Sequence, residues 1–152
     1  MYYRKAGISD VENIHKLLSH YADKGLLLAR SRAKLYESIR EFSVAEEDGT
    51  VVGVGSLHIM WKDLAEIRSL AVSPSYTRRG VGKKLVNIFL EEARYLCIPR
   101  VFTLTYKPGF FEKCNFNYIE KEDLPQKVWR ECIDCPQFPN CEEIAMITEI
   151  TI

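Results

Sequence analysis

Apolar residues along this chain change period several times, and each change marks an element. Val11, Ile14, Leu17, Leu18 and Tyr21 recur at helical spacing and predict a helix from about Asp10 to Ala22. Ser9 and Glu12 stand in the S-x-x-E order of a capping box, and Gly25 ends the helix. A second helix is predicted over Ala33–Glu41, with Leu35, Ile39 and Phe42 on one side. The pattern then turns strand-like. Phe42–Glu47 and Thr50–Met60 read as strands joined at Asp48–Gly49, a two-residue hairpin signal, and Ala65–Val72 follows as the next strand of an antiparallel meander. Gly53 and Gly55 weaken the second of these strands and are candidates for a bulge. Tyr2–Arg4 is a short strand candidate at the start.

The helical period returns with Leu85, Val86, Phe89, Leu90, Ala93 and Leu96, which predict a helix from about Gly82 to Leu96, stopped by Pro99. Val101–Tyr106 is rich in strand formers. Strand 65–72, the helix and strand 101–106 therefore form a βαβ unit with two parallel strands. Beyond it the sequence predicts a short helix at Phe110–Lys113, a turn with Asn115 left-handed, and a short strand at Tyr118–Glu120. Asp123 is expected to cap a helix at Leu124–Pro125, and Ala145–Ile152 reads as a closing strand with an exposed edge. Together these give an α+β fold, a mixed and mostly antiparallel sheet flanked by helices around a central βαβ unit. A single domain over residues 1–152 is expected, with a Cys- and Pro-rich loop at 131–143 inside it.

Composition narrows the function classes. Twenty-one basic and 21 acidic residues cancel to zero formal charge, which argues against bulk nucleic-acid binding. Neither a run of transmembrane length nor a secretion signal is visible, so a cytoplasmic chain without a membrane partner is expected. The 5 cysteines then read as thiols or metal ligands rather than disulfides.

The one local charge cluster lies between the predicted strand and helix: Arg78, Arg79, Gly80, Val81, Gly82 and Lys83. Helix-initial N–H groups are unpaired and the macrodipole favours anions there, while glycines let backbone approach a phosphate closely. The alternative is a solvated basic loop before an ordinary helix. Cys132, Cys135 and Cys141 could offer three thiolates to zinc, with Cys114 or a histidine as fourth ligand, or simply be a tight loop with buried or redox-sensitive thiols. No metal ligand is assigned. The three histidines are isolated from one another, and none is given a role.

At Val72–Lys83 the pattern V-x-P-x-Y-x-x-x-G-x-G, after a strand and before a helix, resembles motif A of the GCN5-related N-acetyltransferase superfamily. Phe110–Phe116, F-F-E-K-C-N-F, extends the likeness, which covers roughly Arg4 to Phe116. Thr77 departs from the pattern, since the superfamily usually has Arg or Gln there. Three further stretches resemble the acetyltransferase domain of the N-acetylglutamate synthases: residues 25–32 (GLLLARSR), 41–44 (EFSV) and 66–72 (EIRSLAV). Residues 124–129 (LPQKVW) resemble the tail of the short, single-domain form of that enzyme. The longer synthases carry a preceding amino-acid-kinase-like domain, so no arginine feedback site of that kind is expected here.

The resemblance implies acetyl-CoA as co-substrate. It places the diphosphate on the N–H groups of Arg79–Lys83 beside Arg78, and the pantetheine along Leu70, Ala71 and Val72. It implies acetylation of the α-amine of an amino acid, L-glutamate for the synthases, as the entry to arginine biosynthesis. Glu66 is the general base in this reading, directly or through a water, although Arg68 two residues on could pair with it and make it a poorer base. Arg30 would grip a substrate carboxylate, bidentately, and Ser69 would contact the same substrate. Two surface arginines at 30 and 32 are the plainer alternative. Phe111 stands in the acyl-donor site where the superfamily's usual acid is a tyrosine, and it has no proton to give; water, the nascent ammonium or Tyr106 would serve instead. In this reading Lys127 or Arg130 stands in for the glutamate-binding groups of the longer enzymes' tails. Acetylation of another small amine or a protein amine, and a catalytically silent acetyl-CoA-binding module, remain as rival readings. The exposed closing strand would make a homodimer unsurprising.

Overall fold

The computed structural model describes residues 1–125 and 143–152. In chain order its elements are β1 (Tyr2–Lys5), α1 (Val11–Ala22), α2 (Arg32–Glu37), β2 (Phe42–Glu47), β3 (Thr50–Trp61), β4 (Leu64–Val72), α3 (Val81–Tyr95), β5 (Arg100–Thr105), α4 (Pro108–Lys113), β6 (Asn117–Tyr118) and β7 (Ile144–Glu149). The strands form one 7-stranded mixed sheet in the order β1-β2-β3-β4-β5-β7-β6. The expected α+β architecture is therefore present. The described residues group into two compact units, Met1–His58 with Ile67–Glu91, and Ile59–Glu66 with Glu92–Ile152.

In the first unit β1, β2 and β3 pair antiparallel, from Tyr2 opposite Glu46 to Phe42 opposite Ser56. The β2–β3 turn carries φ of 49° at Asp48 and 79° at Gly49, the double positive φ that a tight hairpin of matching twist needs. Ala45 faces Gly53 while Glu46 faces Val51, so Val52 is the extra residue of a β-bulge. One side of these strands is covered by α1 and α2. Val11, Ile14, Leu18 and Leu35 pack with Phe42, Val44, Val54 and Ala71 in a single buried cluster. Helix α3 lies on the other side, where Gly53 and Gly55 face it, since successive strand residues point to opposite faces.

Two sequence expectations in this unit are corrected. Ser9 and Glu12 do not form a capping box. A one-turn 3-10 helix, Ile8–Asp10, precedes α1, and the buried Asp10 carboxylate accepts the Gly7 N–H at 2.7 Å. Arg4 grips the same carboxylate with both terminal nitrogens, at 2.7 and 2.9 Å, and holds its pKa below the ordinary range. Glu12 instead meets Arg32 across the α1–α2 contact. The second helix is also shorter than expected. It stops at Glu37, and Ile39–Glu41 forms a separate 3-10 turn because Ser38 leaves helical geometry. Gly25 does end α1: with φ of 71° it sends its own N–H to Ala22 and the Leu26 N–H to the Tyr21 carbonyl, a Schellman closure.

In the second unit β4 and β5 run parallel, with Ala65 opposite Val101 and Glu66 opposite Phe102, as the βαβ reading requires. Leu64, Phe102, Leu124 and Ala145 form its buried cluster. Asn115 has φ of 67°, the left-handed turn expected after α4. The closing strand, however, is not an edge. β7 pairs with β5 over six residues from Ile144 to Glu149 and with β6 at Met146 and Ile147, so the edge argument for a dimer falls away. Leu124 does not open a helix either. A 3-10 turn at Lys121–Asp123 closes onto the Leu124 N–H, and Leu124 turns extended to enter the cluster. Lys127, Arg130, Cys132, Cys135 and Cys141 lie outside the described residues. Among the described residues no helix is long and apolar enough to cross a membrane.

Candidate active site

The end of β4 and the loop after it are shaped by hydrogen bonds to backbone groups, donated both by N–H groups and by the hydroxyls of Ser56, Tyr21 and Thr77. Ser69 sits mid-strand with φ of 54°, a conformation that costs a non-glycine residue roughly 1–2 kcal/mol. It breaks the alternation of the strand just after Arg68, whose carbonyl accepts the Ser56 hydroxyl at 3.1 Å. Three residues on, the Val72 carbonyl accepts a hydrogen bond from the Tyr21 hydroxyl. Burial raises the Tyr21 pKa above its ordinary value, so the phenol remains a donor at neutral pH. The Ser73 N–H then donates to the Val52 carbonyl at 2.7 Å, tying the start of the loop to the bulge in β3.

Pro74–Tyr76 makes one 3-10 turn, with the Tyr76 N–H on the Ser73 carbonyl. Thr77, the departure from the superfamily pattern, closes that turn by donating its hydroxyl to the Pro74 carbonyl at 3.0 Å. Arg78 and Gly80 both take left-handed φ, 66° and 80°, and the Arg79 guanidinium lies 4.9 Å from the centroid of the Tyr76 ring. The first helical bond of α3 runs from the Lys84 N–H to the Gly80 carbonyl. The N–H groups of Val81, Gly82 and Lys83 precede it and have no intrahelical acceptor. Arg78, Arg79, Gly80 and Lys83 are exposed around them, and Val81 is buried beneath. Exposed donors at a helix start, ringed by cations, fit the diphosphate of acetyl-CoA.

Arg30 is half-buried in the irregular chain between α1 and α2. It directly precedes Ser31, whose hydroxyl caps α2 by accepting the Lys34 N–H at 3.2 Å. Arg32 has another task, since its Nε lies 2.8 and 3.1 Å from the two Glu12 carboxylate oxygens. The two neighbouring arginines are thus not equivalent.

In the second unit Glu66 is only 7% exposed, in register with Phe102. Arg68 shares its strand face, two residues on and before the break at Ser69. Phe111 is buried, packed edge-on against Phe110 and Phe116 with centroids 5.0 and 5.2 Å away. Tyr106 follows β5 and is half-buried.

One residue of this region carries no signal in the sequence for what it does. Tyr21 looked like the last core position of α1, and nothing in its spacing announces a hydroxyl used 51 residues away. Gly53 was visible as a strand glycine, but its neighbour across the fold was not. Ser69 was named, yet a serine carries no signal for left-handed backbone.

A family model described as the acetyltransferase (GNAT) family matches residues 11–116. An uncharacterized N-acetyltransferase of Chlorobaculum tepidum is 39% identical over 148 residues, 95% of this chain and 93% of that protein. An amino-acid acetyltransferase of Mycobacterium tuberculosis is 43% identical over 131 residues, 84% of this chain and 75% of that one. Among solved structures, a Mycobacterium tuberculosis protein in complex with CoA and NLQ superposes with a TM-score of 0.87 at 36% identity, covering 99% of this chain and 100% of that one. The N-acetylglutamate synthase of Neisseria gonorrhoeae, complexed with coenzyme A and N-acetyl-glutamate, gives a TM-score of 0.91 at 27% identity over 99% of this chain and 35% of its own. The motif, the sheet order and these matches agree: the chain belongs to the acetyltransferase (GNAT) family, acyltransferases that use acetyl-CoA as co-substrate.

Proposed function

We propose that this enzyme acetylates the α-amine of an amino acid, with L-glutamate as its acceptor, and so catalyses the entry step of arginine biosynthesis in the cytoplasm. The observation that carries the reading is the buried carboxylate of Glu66 on β4, three residues before the break at Ser69. The amino-acid acetyltransferase and the N-acetylglutamate synthase among its relatives support the choice of acceptor.

Acetyl-CoA supplies the acetyl group and a thiolate leaving group. Arg78, Arg79, Gly80, Val81, Gly82 and Lys83 hold its diphosphate, chiefly through backbone donors, and Leu70, Ala71 and Val72 align its pantetheine arm. Arg30 binds a carboxylate of the amino acid, and Ser69 contacts the same molecule. Glu66 takes the ammonium proton, directly or through one water, and leaves a lone pair free to attack the thioester carbon. The new C–N bond forms as the C–S bond breaks. Phe111 has no proton to give, so the thiolate is protonated by water, by the nascent ammonium or by Tyr106.

The test is release of free thiol from acetyl-CoA with each of the twenty amino acids in turn. L-glutamate is expected to give a kcat/KM at least about tenfold above any other, the discrimination that one well-placed charged contact supplies. An acceptor other than glutamate at the top of the series would replace the substrate. Binding of acetyl-CoA without thiol release would favour a silent binding module.

A further inference from the structure

We infer that Gly53 on β3 is a positioning residue for the acetyl-CoA loop, seating Val81 and the first turn of α3 where the diphosphate is to be held. The inference rests on the reading that Arg78–Lys83 hold that diphosphate. A Cβ at Gly53 would lie 2.8 Å from Val81 Cγ1, and 3.3 Å from both Ala45 Cβ and Leu85 Cδ1. Gly53 does not have a positive φ, unlike Gly25, Gly49 and Gly80, so what this position demands is space and not a special backbone conformation. Alanine can adopt the backbone and only collide.

Val81 has little room to yield to that collision. It is 2% exposed, and it is the first residue of α3, between the two glycines of the loop. A push on its side chain therefore passes to its own N–H and to those of Gly82 and Lys83. The preceding residue of β3 acts on the other end of the loop, because the Val52 carbonyl holds the Ser73 N–H. Val52 is also the bulged residue, and a bulge re-aims the strand locally. Two consecutive residues of β3 thus fix where the loop starts, at Ser73, and where it ends, at Val81.

The experiment compares acetyl-CoA with S-acetylpantetheine, which keeps the thioester arm and lacks the diphosphate, at saturating amino acid. The proteins are the wild type, Gly53→Ala and the double variant Gly53→Ala/Val81→Ala. Because the new Cβ displaces Val81 and the donors that follow it, Gly53→Ala is expected to raise KM for acetyl-CoA about tenfold and to leave that for S-acetylpantetheine within about twofold. Val81→Ala keeps the backbone N–H and removes both γ-methyls, one of which meets the new Cβ, so the double variant should bring KM for acetyl-CoA back to within about threefold of wild type. This double variant also serves if the single one does not fold. An unchanged KM for acetyl-CoA in Gly53→Ala, an equal rise for both donors, or no recovery in the double variant overturns the inference. A wild-type enzyme that uses both donors with the same KM overturns the loop reading on which it rests.

Discussion

The loop after β4, proposed to hold the acyl donor, and the loop between α1 and α2, proposed to hold the acceptor, lie in the same unit and are built on different principles. From Ser73 to Lys83 the bonds that hold the chain engage its backbone groups, one of them through the Thr77 hydroxyl and one through Val52 of β3. The Ser73 N–H, the Pro74 carbonyl and the Gly80 carbonyl are each engaged, and three helix-initial N–H groups have no intrahelical acceptor. From Leu26 to Ser31 the chain leaves a Schellman closure and enters a serine cap with no regular structure between, and its proposed role rests on the side chain of Arg30. A site made of backbone donors tolerates side-chain changes and is sensitive to position. A site made of one guanidinium is the reverse.

That contrast is open to direct attack. The largest effect is expected at the acceptor loop. Arg30→Ala should raise the amino-acid KM by about tenfold or more, since a charge-assisted hydrogen bond contributes 1.5–3 kcal/mol, with KM for acetyl-CoA within about twofold of wild type. Equal effects on both substrates would show that Arg30 does not discriminate between the two sites. A smaller effect is expected at the donor loop. Arg79 is exposed and lies against the Tyr76 ring, so Arg79→Ala should raise KM for acetyl-CoA only about two- to threefold. A tenfold rise there would mean that side-chain charge, not backbone, holds the diphosphate.

The same contrast explains what could be read in advance. The donor loop was legible because its backbone geometry demands particular residues: Pro74 to start a turn, Gly80 at a φ of 80°, and a helix that begins with its glycine already in place. The meander and the βαβ unit were legible because their apolar periods switch cleanly. The helix start at Asp10 was not, since its cap depends on Arg4, a residue of another strand that no local motif contains. The position of β7 was equally hidden, because a strand with alternating residues can lie inside a sheet or at its edge. Gly53 falls between these cases. Its presence in a strand signalled close approach, and only the fold reveals that Val81 is what approaches.

Glu66, 7% exposed on β4, is the base in the proposed reaction. The measurement that bears on it most directly is single-enzyme comparison of Glu66→Gln with wild type, at saturating acetyl-CoA and L-glutamate, by thiol release and by acetyl-CoA binding. The substitution keeps size and one acceptor oxygen and replaces the basic carboxylate by a neutral amide. The account predicts a kcat lower by about 10²–10³, within the range for loss of a general base, with the Kd for acetyl-CoA within about twofold. An unchanged kcat would contradict it and remove Glu66 from the chemistry.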